Sequence, residues 1–263
     1  MSRVSAWPRP AAVLLDFGGV LVESRRRPAG VAELAIQVSA MLATRNVPAP
    51  DVSTIDSDIA AGLDAWRRWK TARSRESAPR ELSHQEFWAR FVAASWSEPA
   101  RRVVVDAAFE LCRSLVDRTA IRSPKPGASE LLDAARAIGA RTGIVSNALS
   151  GAVHRELVDR FGFRSGIDVE RYSDEVGIRK PNPKLIVDAA TALGVPVEAC
   201  WYVGDQHDRD VLCGRRAGVG VTVLVRDHPN EVVRRRVHPD LEVASLLEIV
   251  DALGGRPALE VPA

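Results

Sequence analysis

Asp16 closes a short apolar run that begins at Ala11 and is followed by Phe17-Gly18-Gly19. Ser146-Asn147 closes a second run, Gly143-Ile144-Val145. Gly204-Asp205 closes a third, Trp201-Tyr202-Val203, with Asp210 five residues beyond. Lys180 stands in Arg179-Lys180-Pro181-Asn182-Pro183, just ahead of a helical pattern. Brought together, these residue types suit one chemistry. Carboxylates repel one another unless a cation neutralises them, and oxygen donors without His or Cys favour a hard ion such as Mg²⁺. A divalent ion beside a lysine, a hydroxyl and an amide makes a site for phosphoryl oxygens, whose charge it stabilises during transfer. The nucleophile would then be Asp16, passing through an aspartyl-phosphate.

The elements around these residues predict that they meet. Val13-Leu14-Leu15, Gly143-Ile144-Val145, Trp201-Tyr202-Val203 and Val221 to Val225 are short and apolar and lack polar alternation, as strands covered on both faces do. Helical patterns lie between them. One opens after Pro126-Gly127, carries Leu131, Leu132, Ala135 and Ile138 on one side, and stops at Gly139. Another opens at Pro183, with Leu185, Ile186, Ala189, Ala190 and Leu193 at three-to-four spacing before Gly194. This alternation predicts an α/β fold with a doubly wound parallel sheet. In such sheets the carboxyl ends of the strands lie along one edge, where ligands bind.

Ser24 to Thr119 has a different texture. It contains no convincing strand and reads as helices over Ala29–Arg45, Val52–Arg73, Ser83–Ser95 and Pro99–Asp117. The expected division is a core of residues 1–23 and 120–263 with an inserted all-α unit of residues 24–119. Trp66, Trp69, Trp88 and Trp96 fall in the insertion, and packing of a small bundle accounts for them better than a substrate pocket does. Trp66-Arg67-Arg68-Trp69-Lys70 resembles a nucleic-acid stacking surface, but tryptophans at i and i+3 more often share a buried face with basic flanks.

Composition excludes several classes. With 46% hydrophobic and 27% charged residues, the 263-residue chain is neither disordered nor fibrous. Its 36 basic and 34 acidic residues are interspersed, which gives no support to nucleic-acid binding. No apolar run approaches the roughly 20 residues that cross a bilayer, and Pro8, Pro10 and Asp16 interrupt any signal-peptide core after Arg3, so a cytoplasmic location is expected. Cys112, Cys200 and Cys213 read as buried free thiols. His84, His154, His207, His228 and His238 show no zinc spacing. No G-x-G-x-x-G follows a strand, and Asp16-Phe17-Gly18 lacks the surroundings it has in kinases.

Taken in order, Asp16-Phe17-Gly18-Gly19-Val20-Leu21, Ser146-Asn147, Lys180-Pro181-Asn182-Pro183 and Gly204-Asp205 with Asp210 resemble the four motifs of the haloacid dehalogenase superfamily, in the branch with a helical cap after the first motif. Each alone has a commonplace use: Asp16 and Asp205 as turn formers, Ser146 and Asp210 as helix caps, Lys180 as a solvated charge. The resemblance implies a Rossmann-like core under a mobile cap, and a Mg²⁺-dependent hydrolase of small phosphomonoesters, acting as a monomer or homodimer. It implies Asp16 as nucleophile and metal ligand, the Gly18 carbonyl and Asp205 as further ligands, and Asp210 supporting the metal or binding it. Ser146 and Asn147 would hold the phosphoryl group, and Lys180 would balance charge.

One position departs from the pattern. Phosphatases of that superfamily usually carry a second Asp two residues after the nucleophile, as the general acid and base; this chain has Gly18. Losing such a group typically costs a factor of ~10² to 10⁴. Three explanations stay open. The substrate has a good leaving group, as a sugar 1-phosphate does; a cap residue or His207 supplies the proton; or the reaction is dehalogenase- or phosphonatase-like hydrolysis, or none, in a binding or regulatory protein.

Overall fold

A computed structural model describes residues 7–226 and 237–254; Arg3 and His228 lie outside them. Along the chain come β1 (Ala12–Leu15), β2 (Val22–Arg26), α1 (Ala29–Thr44), α2 (Val52–Arg73), α3 (His84–Phe87), α4 (Glu98–Asp106), α5 (Ala108–Thr119), β3 (Ala120–Pro124), α6 (Ala128–Ala137) and β4 (Arg141–Ser146). There follow α7 (Gly151–Arg160), β5 (Val169–Tyr172), α8 (Ser173–Val176), α9 (Lys184–Leu193), β6 (Cys200–Gly204), α10 (Leu212–Ala217), β7 (Val221–Val225), β8 (Leu241–Val243) and α11 (Leu246–Leu253).

Among the described residues, six parallel strands form one sheet in the order β5-β4-β1-β6-β7-β8. The chain winds outward from β1 in both directions, as predicted. Alternate residues of each strand face opposite ways. Val13 and Leu15 join Leu131, Leu157 and Ile249 on one face, while Ala12 and Leu14 join Leu185, Ile186 and Cys213 on the other. Helices α6, α7 and α11 therefore cover one side, and α9 and α10 the other. Leu14 and Leu15 are fully buried, each contributing roughly 1.5 to 3 kcal/mol relative to exposure. All three cysteines are free and buried.

The edge strands escaped the sequence reading because they lack its signal. Val169-Glu170-Arg171-Tyr172 and Leu241-Glu242-Val243 are mixed in polarity and are held by one neighbour each.

A correction applies to the segment after Glu23. Strand β2 runs through Ser24, Arg25 and Arg26 and pairs antiparallel with β3, Val22 opposite Pro124 and Arg26 opposite Ala120. Four of the five β2 residues are exposed, so this ribbon is held by backbone hydrogen bonds and shows no buried alternation. Between its strands the helices bury a separate apolar cluster drawn from residues between Leu34 and Leu115, joined by Leu149 from beyond the ribbon. The helices expected over Ser83–Ser95 and Pro99–Asp117 are each broken. The first passes into a π-helical turn at Trp88–Val92, and the second bends at Ala107, so that α4 and α5 both turn apolar residues into that cluster.

Trp88 and Trp96 are buried in the cluster, and Trp66 and Trp69 pack against it. Lys70 Nζ lies 3.5 Å from the Trp66 ring centroid, and the Arg73 and Arg179 guanidiniums lie over Trp69. The basic flanks thus cover the tryptophan faces, as packing predicts.

The helical unit is pinned to the sheet unit beyond α2. Arg80 bridges Ile178, Glu81 N–H donates to the Gly177 carbonyl, and Arg179 N–H donates to the Pro79 carbonyl. The Glu81 carboxylate accepts from Arg179 Nη1 at 2.7 Å and Ser173 Oγ at 2.5 Å, with the Glu81 and Arg179 side chains 4% and 1% exposed. Removing one partner strands a buried charge. Glu81→Ala is therefore expected to lower stability by about 3 to 5 kcal/mol in urea denaturation, and a loss under ~1 kcal/mol would contradict this account.

Candidate active site

Register decides which residues meet. Leu15 sits between Ile144 of β4 and Val203 of β6, so Asp16 emerges between the ends of those two strands, where Ser146 and Gly204 also lie. Asp16 N–H donates to the Val203 carbonyl, and the Asp16 Oδ1 accepts from Phe17 N–H at 2.7 Å. Two glycines admit the carboxylates. A Cβ on Gly204 would stand 2.2 Å from that of Asp210, and one on Gly19, whose φ is +79°, would stand 2.4 Å from Asp205 Oδ2.

Oxygens of Asp16, Asp205 and Asp210 lie within 4.8 Å of one another. Lys180, 1% exposed, reaches between two of them, 2.9 Å from Asp16 Oδ2 and 2.6 Å from Asp210 Oδ1. Its backbone is fixed by Asn147, whose Oδ1 accepts from Lys180 N–H at 2.7 Å while its Nδ2 donates to the Lys180 carbonyl at 3.1 Å. Asp210 is fully engaged. The Tyr202 hydroxyl donates to its Oδ1, Gln206 N–H donates to its Oδ2, and Lys180 Nζ also donates to the Tyr202 oxygen. Asp205 accepts one hydrogen bond, from Gln206 Nε2 at 2.9 Å.

Charge follows from this layout. Burial opposes the Lys180 ammonium, but Asp16 and Asp210 outweigh it and the net shift is upward. Asp210 is held low, its burial overcome by Lys180 and Arg209. Asp16 is raised by burial against the pull of Lys180, with Asp210 adding to the rise and Ser146 opposing it. Asp205 is pushed up to about 7 by burial and then by Asp16 and Asp210. Three carboxylates share one ammonium, and the least compensated is Asp205. An all-oxygen donor set carrying excess negative charge fits a hard divalent cation.

These groups line a cleft of about 640 Å³ with Gly18, Ser146, Asn147 and Arg209. Asp16, Gly18, Ser146, Asn147, Lys180 and Asp205 are thus brought to one edge, with Asp210 just beneath the cleft. The cleft also includes Glu23, Ser24, Lys125 and His154, none of which any spacing marked. His154 is half-buried with its Nδ1 enclosed, stacked on Phe17 at 4.4 Å between centroids, and pushed down to about 3, first by desolvation of the ring and then by Arg122. Tyr202 was read only as a strand residue, although a hydroxyl inside a covered strand must find a partner. His207 opens the π-helical turn 207–211 and does not line the cleft, and neither do Trp66, Trp69, Trp88 and Trp96.

Residues 10–218 match the family described as haloacid dehalogenase-like hydrolase. The chain belongs to that family. This hydrolase is 33% identical over 133 residues to the glyceraldehyde 3-phosphate phosphatase of Methanopyrus kandleri, a match covering 49% of this chain and spanning only 56% of that protein's length. It is 31% identical over 178 residues to the pyrimidine 5'-nucleotidase YjjG of Escherichia coli, covering 66% of this chain and 72% of that one. Its fold is shared with the 2-haloacid dehalogenase of Pseudomonas syringae, with TM-score 0.58 and 17% identity over 92% of this chain and 97% of that one. Among the described residues, no helix is long and apolar enough to cross a membrane.

Asp205 has a signed pH signature. Its folded value, about 7, exceeds the unfolded 3.8, so the folded state retains a proton that the unfolded chain releases. Stability from this group is present at low pH and declines as pH rises through the window between those values. Neutral His154 acts in the opposite sense, losing stability as pH falls below its unfolded 6.5. The measurement is therefore the melting difference between wild type and Asp205→Asn in EDTA. The variant is expected to gain on wild type as pH rises from about 5 to about 8, and a flat difference would contradict the assignment.

Proposed function

We propose that this hydrolase cleaves small phosphomonoesters through an aspartyl-phosphate on Asp16, under a cap of residues 24–119, with Mg²⁺ held by Asp16, Asp205 and the Gly18 carbonyl. The observation that carries this reading is the Lys180 ammonium bridging Asp16 and Asp210 beside the under-compensated Asp205. Relatives named for phosphatase and nucleotidase activity support the substrate class.

A bound cation would supply Lewis-acid stabilisation of the phosphoryl oxygens. The side chains do the rest. Asp16, whose ionised form Lys180 favours against burial and a bound cation would favour further, attacks phosphorus; the ester P–O bond breaks, the leaving oxygen departs with the electron pair, and the Ser146 hydroxyl donates to a phosphoryl oxygen. Lys180 offsets charge as it builds between nucleophile and phosphate. Both Asn147 and Asp210 act as positioning residues. Asn147 holds the Lys180 backbone, and Asp210, whose oxygens are already occupied, holds its ammonium. The cap limits water until the ester bond breaks. Water then cleaves the acyl-phosphate, returning Asp16 and releasing inorganic phosphate.

Leaving-group quality accounts best for Gly18, which points to esters such as sugar 1-phosphates. The direct test is phosphate release from sugar phosphates, phosphoglycolate and nucleotides, with Mg²⁺ and with EDTA. Turnover with Mg²⁺ and at least a hundredfold loss in EDTA is expected. Carbon–halogen hydrolysis needs no cation, so haloacid turnover surviving EDTA would overturn the proposal.

A further inference from the structure

A second cavity, of about 550 Å³, lies where the last turns of α2 face the segment that follows β6. Arg67, Lys70, Ser74 and Arg75 line it from the cap side, and Asp208 and Arg209 from the other. Four basic side chains from two separate stretches of chain thus surround one acidic group. Arg67 pairs with Asp64 on its own helix. The side chains of Arg75 and Arg209 make no hydrogen bond or ion pair among the described residues. Lys70 lies against the Trp66 ring, a contact that leaves its charge uncancelled.

Helix polarity explains only part of this. Cations are favoured in the last turn of a helix, where Lys70 and Arg73 sit. Arg209 comes from the opposite wall, where Asp210 and Asp205 attract it from the catalytic cleft and the α2 dipole plays no part. Lys70 is also partly withdrawn from water, and its ammonium is pushed down to about 7 by burial, then by Arg209 and Arg179, against Glu81, with Arg67 adding to the fall. Like charges held together in a concave site mark where an anion is missing. Guanidiniums suit oxyanions in particular, since they offer paired donors in a plane. Arg209 also lines the catalytic cleft, so the two cavities share a wall.

We propose that this cavity is an oxyanion site for a phosphate-type group, held by Lys70, Arg75 and Arg209. The group is carried either by the far end of the substrate or by a separate anion. Binding there does not depend on the catalytic reading; only assignment to the substrate rests on it. For an anion whose charge is constant in this range, such as sulfate, binding stabilises the Lys70 ammonium and takes up a proton, so that affinity falls as pH rises above about 7.

The test is calorimetric titration of the whole chain with inorganic phosphate and Mg²⁺. Wild type is expected to bind phosphate at two sites, and with sulfate, which does not titrate in this range, binding at the second takes up protons at pH about 7.5, as read from two buffers of different ionisation enthalpy. Arg75→Gln, on an exposed residue that folding does not need, and Lys70→Met should each weaken that second site about tenfold or more, the size of a lost charged hydrogen bond. A single phosphate site, unaltered in both variants, would overturn the proposal. Paired substrates with and without a distal phosphate distinguish the sources. If the anion belongs to the substrate, the kcat/KM advantage of the bisphosphate falls about tenfold in Arg75→Gln. If that ratio holds while the calorimetric site weakens, the anion is a separate ligand. Should the chain hydrolyse no phosphomonoester, the calorimetric result still decides, so failure of the catalytic reading and failure of this site remain distinguishable.

Discussion

Asp16→Asn is expected to lower kcat for phosphate release by at least about 10⁴-fold, roughly 5 kcal/mol of barrier, while the protein stays folded. Asn has the shape of Asp but no nucleophilic oxygen, and of the two carboxylates within 4.8 Å, Asp205 is placed as a cation ligand and Asp210 is held by Lys180. Folding should survive because the contacts of Asp16 are partly replaceable. The Phe17 N–H, 2.7 Å from Asp16 Oδ1, can donate equally to an amide oxygen. Lys180 loses its partner at 2.9 Å but keeps Asp210 at 2.6 Å. The substitution also removes one of three crowded carboxylates, and the group lost is one that burial disfavours when charged. A melting temperature within a few degrees of wild type is expected. Undiminished turnover in a folded variant would refute the nucleophile assignment, and collapse of the fold would refute this account of the Lys180 network.

The parts of the site legible in the sequence are those fixed by covered strands. An apolar run without alternation identifies a strand buried on both faces, and the residue after it must lie at the sheet edge. That rule places Asp16 together with Ser146 and Asp205, each more than a hundred positions further along the chain. Local pattern shows Lys180 only as a lysine among arginines ahead of a helix, and its charge-balancing role comes from the resemblance of Lys180-Pro181-Asn182-Pro183 to a family motif. Its reach between Asp16 and Asp210 depends on Asn147 clamping its backbone, a long-range pairing that no local pattern announces. Glu23 and Ser24 were missed because β2 is exposed and lacks periodicity. His154 was missed because its place on Phe17 is set by how α7 packs on the sheet. What the sequence left out is thus what tertiary packing decides after the strands are laid down.

Gly18→Asp is expected to raise turnover of esters with poor leaving groups by about 10² and at most ~10⁴-fold, while changing turnover of p-nitrophenyl phosphate only a few-fold. The position has room. A Cβ on Gly18 meets nothing within 4 Å, its φ lies outside the left-handed region, and the residue lines the cleft. Neighbouring Gly19 could not be changed in this way, since its φ is +79° and a Cβ there would strike Asp205. Burial beside Asp16 and Asp205 works against charge on a further carboxyl and so toward the protonated form, while a bound cation would pull the other way. An alkyl phosphate needs that proton as its oxygen departs, whereas p-nitrophenolate leaves without it. The ratio of kcat/KM for the two substrate classes is therefore the measurement. An unchanged ratio in a folded, metal-loaded Gly18→Asp variant would mean that leaving-group protonation is already supplied by another group in the cleft, and that Gly18 does not restrict this chain to good leaving groups.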